Sequence, residues 1–86
     1  MSSIKKLQRI GGKQLIKLAV KDGWIIKRRA RHGVALSKKF GDRSRVTVIP
    51  DSRAELDEGT LSAIIGYKQM GLGKGGLFEL INKYGL

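Results

Sequence analysis

The 86-residue sequence contains no cysteine, one proline and one histidine. Without cysteine there is no disulfide and no thiolate metal site, so the fold must rely on its hydrophobic core, and nothing indicates an oxidising compartment. The longest apolar stretch, around Leu15 to Val20, is interrupted by Lys17 and is too short to span a membrane. These absences predict a soluble cytoplasmic protein with no membrane association.

Ligands for metals and nucleotides are equally scarce. The chain offers one histidine for a metal, and most of its carboxylates are grouped in the stretch 51–58, where a helix is expected to begin. The glycines of the stretch 73–76 do not follow a predicted strand and lead into no G-K-S/T pattern, as a phosphate-binding loop would require. The sequence therefore predicts neither a metal centre nor a cofactor.

Acidic residues are few and unevenly placed. The chain has 18 Lys and Arg against seven Asp and Glu, and residues 1–50 hold 14 of the basic residues but only two of the acidic ones. The remaining 36 residues carry a slight excess of acid. A length of this order supports one domain with a modest core. One half of that domain is thus suited to a polyanion such as a nucleic acid.

The hydrophobic spacing predicts an α+β fold of the order α-β-β-β-α. Short strands joined by tight turns give a three-stranded antiparallel sheet, and both helices pack over one face, as in double-stranded-RNA-binding domains. A short C-terminal helical extension follows. The predicted elements are a helix from Gly12 to Asp22, strands over 24–29, 34–40 and 45–49, a helix from Asp57 to Met70, and a helix from Leu77 to Tyr84.

We divide this single domain into a basic N-terminal arm (1–11), a core (12–72) and a C-terminal extension (73–86). In the first helix Leu15, Leu18 and Ala19 define the buried side, which Ile16 and Val20 widen. Trp24 is a candidate for stacking on a base, but its place after a helix-capping glycine favours the core. The glycines of 73–76 predict a flexible joint, so the last helix must dock on this domain or on a partner.

The candidate functional residues lie around the stretch R-R-A-R-H-G-V-A-L, residues 28–36. Histidine is the one side chain whose ordinary pKa lets it exchange protons near neutral pH, and arginine is well suited to phosphate. His32 is therefore a candidate catalytic base for phosphodiester chemistry or, alternatively, one more phosphate or base contact. The candidate RNA-binding residues are Lys27, Arg28, Arg29 and Arg31 beside it, together with Lys13 and Lys17 on the polar side of the first helix. That lysine stripe has the alternative interpretation of a solvated helix face.

Four segments together resemble the HicA toxins of type II toxin-antitoxin modules. They are G-K-Q-L-I-K-L-A-V-K-D-G-W from Gly12, H-G-V-A-L from His32, V-T-V-I-P from Val46 and E-L-D-E-G-T-L-S-A-I-I from Glu55, and the resemblance covers residues 12–72. Two features depart from the family pattern. Arg31 and Ala30 stand where Ser or Gly usually precedes the histidine, and the second helix is slightly longer.

The resemblance implies a small cytoplasmic ribonuclease that cleaves mRNA with a histidine at the start of the second strand, which corresponds to His32. It also implies inhibition by a cognate HicB antitoxin, in a complex of the two proteins. We expect that partner to be acidic where it meets the loop from Arg28 to His32. RNA supplies its own nucleophile, the 2′-hydroxyl. A base with nearby positive charge is therefore sufficient, while the group that protonates the leaving oxygen stays open between water, Lys27, a tyrosine and His32 itself.

The rival hypothesis is a non-catalytic RNA- or DNA-binding module of the same fold, which explains the charge and the element order equally well. An ordinary reader of double-stranded RNA is disfavoured, because such domains place lysines at the start of the second helix, where this chain has Asp57, Glu58, Gly59 and Thr60. A catalytically inactive relative of the HicA toxins is a third alternative that the sequence leaves open.

Overall fold

The structure is a computed structural model that describes residues 9–85. Most of the predicted N-terminal arm lies outside the described residues. The chain order is three strands between one helix and two helices, which confirms the predicted α-β-β-β-α arrangement with a C-terminal helix. The elements are α1 (Gly12–Lys21), β1 (Ile25–Ala30), β2 (Gly33–Phe40), β3 (Arg43–Ile49), α2 (Glu58–Ile65) and α3 (Gly73–Tyr84).

The sheet is antiparallel in the order β1-β2-β3, and one of its faces forms the floor of the core. Val34 pairs with Ile49, Leu36 pairs with Thr47, and all four are buried under the helices. Because neighbouring residues of a strand point to opposite faces, Val46 and Val48 point away from the core. In the part of the chain that the structure describes, the sheet is therefore covered on one side only.

Both ends of α1 are attached to other elements. At its start the Gln14 side chain accepts a hydrogen bond from the Gly11 amide at 2.9 Å. Ile10, which precedes Gly11, is fully buried. At its end Lys38 Nζ donates to the Asp22 carbonyl at 2.7 Å and pairs with the Asp22 carboxylate at 3.1 Å. Trp24 lies in the core as predicted. Val20 was predicted to widen the buried side of α1 but is 44% exposed. It lies one turn beyond Ile16, at the end of the helix.

The predicted extent of α2 was wrong, because the helix ends at Ile65 rather than at Met70. At Gly66 the chain leaves the helix in an extended conformation with ψ of 172°. Ending the helix at this residue costs little free energy, because glycine is a poor helix former. Contacts with β3 stabilise the turn that follows. Arg45 donates to the carbonyls of Tyr67 and Gln69, and the Gln69 side chain accepts from the Thr47 hydroxyl at 2.7 Å.

The C-terminal helix packs on the domain itself. The predicted flexible joint forms the first turn of α3, and Leu77 and Leu80 are buried in the common core with Ile81 and Tyr84 packed beside them. Of the two docking alternatives, the chain therefore uses its own surface. Within residues 9–85 no helix has both the length and the apolar character needed to cross a membrane.

A pair of glycine substitutions tests the contact between α1 and the segment after β3. A Cβ on Gly12 would lie 1.8 Å from the Pro50 carbonyl oxygen, whereas a Cβ on Gly75 in α3 would meet nothing within 4 Å. We expect Gly12→Ala to lower the free energy of unfolding by about 2 kcal/mol or more, since a backbone atom must move. Gly75→Ala should raise it by about 0.5–1 kcal/mol through helix propensity. Urea unfolding followed by circular dichroism measures both, and equal effects would contradict the close contact.

Candidate nucleic-acid site at the end of the sheet

His32 lies in the two-residue turn between β1 and β2, immediately before the second strand. Ala30 and Gly33 pair across the base of this turn, and the His32 side chain is exposed. A Cβ on Gly33 would lie 2.7 Å from the Ile49 carbonyl oxygen, so the hairpin end approaches β3 more closely than a larger residue permits. The imidazole is thus presented at the end of the sheet, where a large substrate can reach it.

Beside this turn, three charged side chains form a cluster that we call the Asp51 cluster. Lys13 Nζ donates to Asp51 Oδ1 at 2.8 Å, and an Arg29 guanidinium nitrogen lies 3.8 Å from Asp51 Oδ2. The hydrogen bond from Lys13 and the nearby Arg29 charge hold the pKa of the Asp51 carboxyl below its ordinary value of 3.8. Asp51 is therefore ionised at neutral pH and occupies the space between two candidate RNA-binding cations.

Backbone contacts explain why residues so distant in sequence meet here. The start of α1 lies against the segment after β3, where the Lys13 amide donates to the Ser52 carbonyl at 2.9 Å and the Leu56 amide donates to the Ile10 carbonyl. This segment follows Ile49, the last residue of β3, whose carbonyl lies close to Gly33 at the end of the β1–β2 hairpin. The short stretch 49–52 thus joins the first helix to the histidine turn and carries Asp51 between them.

The arginines do not form one continuous surface. The register of β1 against β2 shifts between Ile26 and Arg28, so Lys27 is the extra residue of a bulge. After the bulge Arg28 pairs with Ala35 and Arg29 pairs with Val34. Paired residues share a face, so Arg29 points to the helix side, where it meets Asp51, and Arg28 points to the opposite side. Arg31 lies in the turn beside His32.

The predicted site residues therefore divide into two groups. Lys13 and Arg29 are brought together through Asp51, and Arg31 is adjacent to His32 in the turn. Lys17 is exposed on α1 and, within residues 9–85, forms no ion pair, so the lysine stripe is not uniform. Sequence reasoning missed Asp51, for which the only signal was a carboxylate directly after the proline that ends β3.

Chemically, this end of the domain offers an exposed imidazole and a carboxylate among several cations. Among the residues that the structure describes, no three His, Cys, Asp or Glu side chains are grouped in a way that could hold a metal ion. An approaching phosphate would compete with the Asp51 carboxylate for Lys13 and Arg29, since both anions use the same hydrogen-bond donors. We therefore expect phosphate affinity at this end of the domain to depend on how readily Asp51 releases these two cations.

Comparison with known proteins gives one match. Residues 12–72 match the family model described as the HicA toxin of bacterial toxin-antitoxin, which covers more than half of the chain. No curated protein and no solved structure matches the chain.

Removing the Asp51 carboxylate tests whether the cluster limits polyanion binding. We expect Asp51→Asn to bind a single-stranded RNA oligonucleotide more tightly than the parent and to steepen the slope of log affinity against log salt by about one unit, because Lys13 and Arg29 are released for phosphate. Asp42→Asn is the matched control, since it changes net charge equally at the other end of the sheet. Identical effects of the two variants would show that only overall charge matters.

The same variant has a stability signature. The lowered pKa means that ionised Asp51 stabilises the fold above pH 3.8 and loses this contribution as the pH falls through its folded-state value. We therefore expect Asp51→Asn to reduce the unfolding midpoint at pH 7, with the difference from the parent shrinking as the solution becomes strongly acidic. Thermal unfolding across this pH range measures it.

Proposed function

The chain belongs to the HicA toxin family of bacterial toxin-antitoxin systems, and from that premise we propose that it is a metal-independent endoribonuclease that cleaves mRNA in the cytoplasm. The family assigns it the toxin role and implies an antitoxin partner. The observation that best supports the catalytic part of the proposal is the exposed His32 in the β1–β2 turn. Arg31 is adjacent to it in the turn, and Arg29 lies near the end of β1.

In the proposed reaction, neutral His32 takes the proton from a ribose 2′-hydroxyl. The 2′-oxygen then forms a bond to phosphorus, the bond from phosphorus to the 5′-oxygen breaks, and the products are a 2′,3′-cyclic phosphate and a 5′-hydroxyl. The leaving 5′-oxygen takes its proton from water, from Lys27 or from the protonated His32. Of the two tyrosines, Tyr67 follows α2, where its carbonyl accepts from Arg45, and Tyr84 packs beside the core at the end of α3.

Charge on the phosphate is balanced by the neighbouring cations. Arg31 is next to His32, while Arg29 and Lys13 become available when a phosphate displaces Asp51 from them. Arg28, on the other side of β1, is placed to hold the chain of the RNA where it passes the sheet. These contacts position the substrate, whereas the proton transfer is assigned to His32.

The second candidate function is a non-catalytic RNA- or DNA-binding module that uses the same cations. The charge distribution favours it as much as it favours catalysis. At the start of α2 the chain has Asp57 at the N-cap and Glu58 in the first turn, which repel phosphate and leave the fold without the contact that readers of duplex RNA make there. The two candidates differ in one measurable outcome, which is cleavage of bound RNA.

We expect His32→Gln to abolish RNA cleavage and growth arrest while leaving RNA affinity within about threefold of the parent, since one exposed side chain contributes little to phosphate binding. Its exposed position predicts an unchanged unfolding midpoint, which serves as the control for folding. Gel analysis of RNA incubated with the purified variant checks the result. A folded variant that cleaves at the parental rate would remove His32 from the mechanism and favour another catalytic group, whereas a parent chain that binds RNA without cleaving it would favour the binding module.

The nucleophile assignment gives a separate expectation. Cleavage should persist in excess EDTA. In an oligonucleotide with a single 2′-deoxy substitution, the phosphodiester bond at that position should stay intact while the other sites are cut. The reason is that the 2′-hydroxyl, and not a metal-bound water, attacks the phosphorus. Mass spectrometry of the products should find cyclic phosphate ends. Activity lost in EDTA and restored by a divalent ion would contradict the proposal.

A further inference from the structure

Within residues 9–85 nothing packs on the face of the sheet opposite the helices, and the middle of that face is mainly apolar. We call this the open face and define it by Ile25, Ala35, Ser37, Val46 and Val48. Ile25 is 59% exposed, Val46 is 57% exposed and Val48 is 50% exposed. Cross-strand pairing places Ser37 between Ile25 and Val46, and Ala35 between Arg28 and Val48. The side chains thus form two adjacent rows in which Ser37 and Arg28 are polar, and the next row toward the β2–β3 turn is the polar pair Lys39 and Ser44.

The charge of the surrounding strands restricts what covers this face. The strands β1, β2 and β3 carry seven Lys and Arg and no Asp or Glu. A second copy of the chain would bring the same cations against them, so self-association through this face is opposed by repulsion. A protein with an apolar centre and acidic residues around it has the complementary charge at every strand.

RNA is a poorer match for the same surface. Sheets that bind single-stranded RNA stack the bases on exposed aromatic rings, whereas the open face presents aliphatic side chains and a serine. Exposed valine and isoleucine gain instead from burial against other apolar side chains. The cations for phosphate lie mainly at the histidine end, and the apolar surface lies along the middle of the sheet.

We propose that the open face is the principal docking surface for the acidic antitoxin, whose apolar residues cover Ile25, Val46 and Val48 while its carboxylates meet Arg28 and the adjacent basic residues. This proposal rests on the proposed function only for the existence of the antitoxin, and its acidic character is inferred from the basic strands. Antitoxin binding and RNA binding then share Arg28, but the apolar contacts of the antitoxin and the proton transfer at His32 depend on different side chains. The antitoxin holds the sheet, and from there it extends over the turn that carries His32.

Valine-to-glutamate substitutions test the assignment, because a carboxylate on the open face would repel an acidic partner. Val46→Glu and Val48→Glu place it there, and Val20→Glu is the matched control, since Val20 is similarly exposed on α1, in the helix layer. The probe is the purified protein encoded next to this gene. Calorimetry measures its affinity for each variant, and RNA cleavage by each variant alone is measured in parallel. Circular dichroism of each variant shows whether the sheet is retained.

We expect each open-face variant to lose antitoxin affinity by about 100-fold while Val20→Glu stays within about threefold, as for a central interface residue against a remote one. Cleavage should be retained by all three, giving toxins that the antitoxin no longer silences. If Val46→Glu unfolds the sheet, the milder Val46→Thr and Val48→Thr variants should still lose antitoxin affinity, by a smaller factor than the glutamate variants and by a larger one than Val20→Glu.

Three results would overturn the assignment. The first is an absence of the expected effect on binding: either the folded open-face variants keep the parental antitoxin affinity, or the protein encoded next to this gene does not bind the parent chain. The second is a selective loss of RNA binding in these variants, which would assign the face to nucleic acid. The third is a concentration-dependent dimer of the parent that Val46→Glu dissolves, which would assign it to a second copy. A parent that binds the antitoxin through this face but cleaves no RNA would reject the ribonuclease proposal alone.

Discussion

The close approach of Gly12 to the Pro50 carbonyl is the constraint on which the rest of this structure depends. It places the first turn of α1 directly on the backbone that leaves β3, at a distance that only glycine permits. One residue later in each segment, Lys13 and Asp51 are then within hydrogen-bond distance. Because Ile49, at the end of β3, also meets the hairpin at Gly33, a short stretch of backbone links the helix, the sheet and the histidine turn. The charged cluster is a consequence of this packing.

The element order was predictable because each element carries a local signal. The three-residue and four-residue spacing in α1 and the alternation in β2 are properties of short windows, and the structure follows them. The end of α2 was not predictable in this way. Its apolar spacing continues to Met70, but Gly66 interrupts the helix and contacts from Arg45 and Gln69, which belong to the tertiary structure, stabilise the turn instead.

The site was predictable in its residue types and less so in its geometry. The histidine and its neighbouring arginines can be read in the sequence, but the bulge at Lys27 decides that it is Arg29, and not Arg28, that faces the helix side. Asp51 was missed because its partners lie 38 and 22 residues away and only the folded chain brings them together. Contacts of that separation have no signature in a single sequence. The glycines that allow them, Gly12 and Gly33, are recognisable only once the neighbouring backbone is known.

The position of α3 in the chain has a consequence for synthesis on the ribosome. Leu77 and Leu80 complete the core beneath α1 and α2, yet they are made after every residue of the histidine end. While the chain is being translated, the hairpins can form early because their contacts are local, but the helix layer stays open until residues 77–80 emerge. A nascent chain that already carries the histidine turn therefore lacks a complete core, and the fold itself delays maturation until α3 has been made.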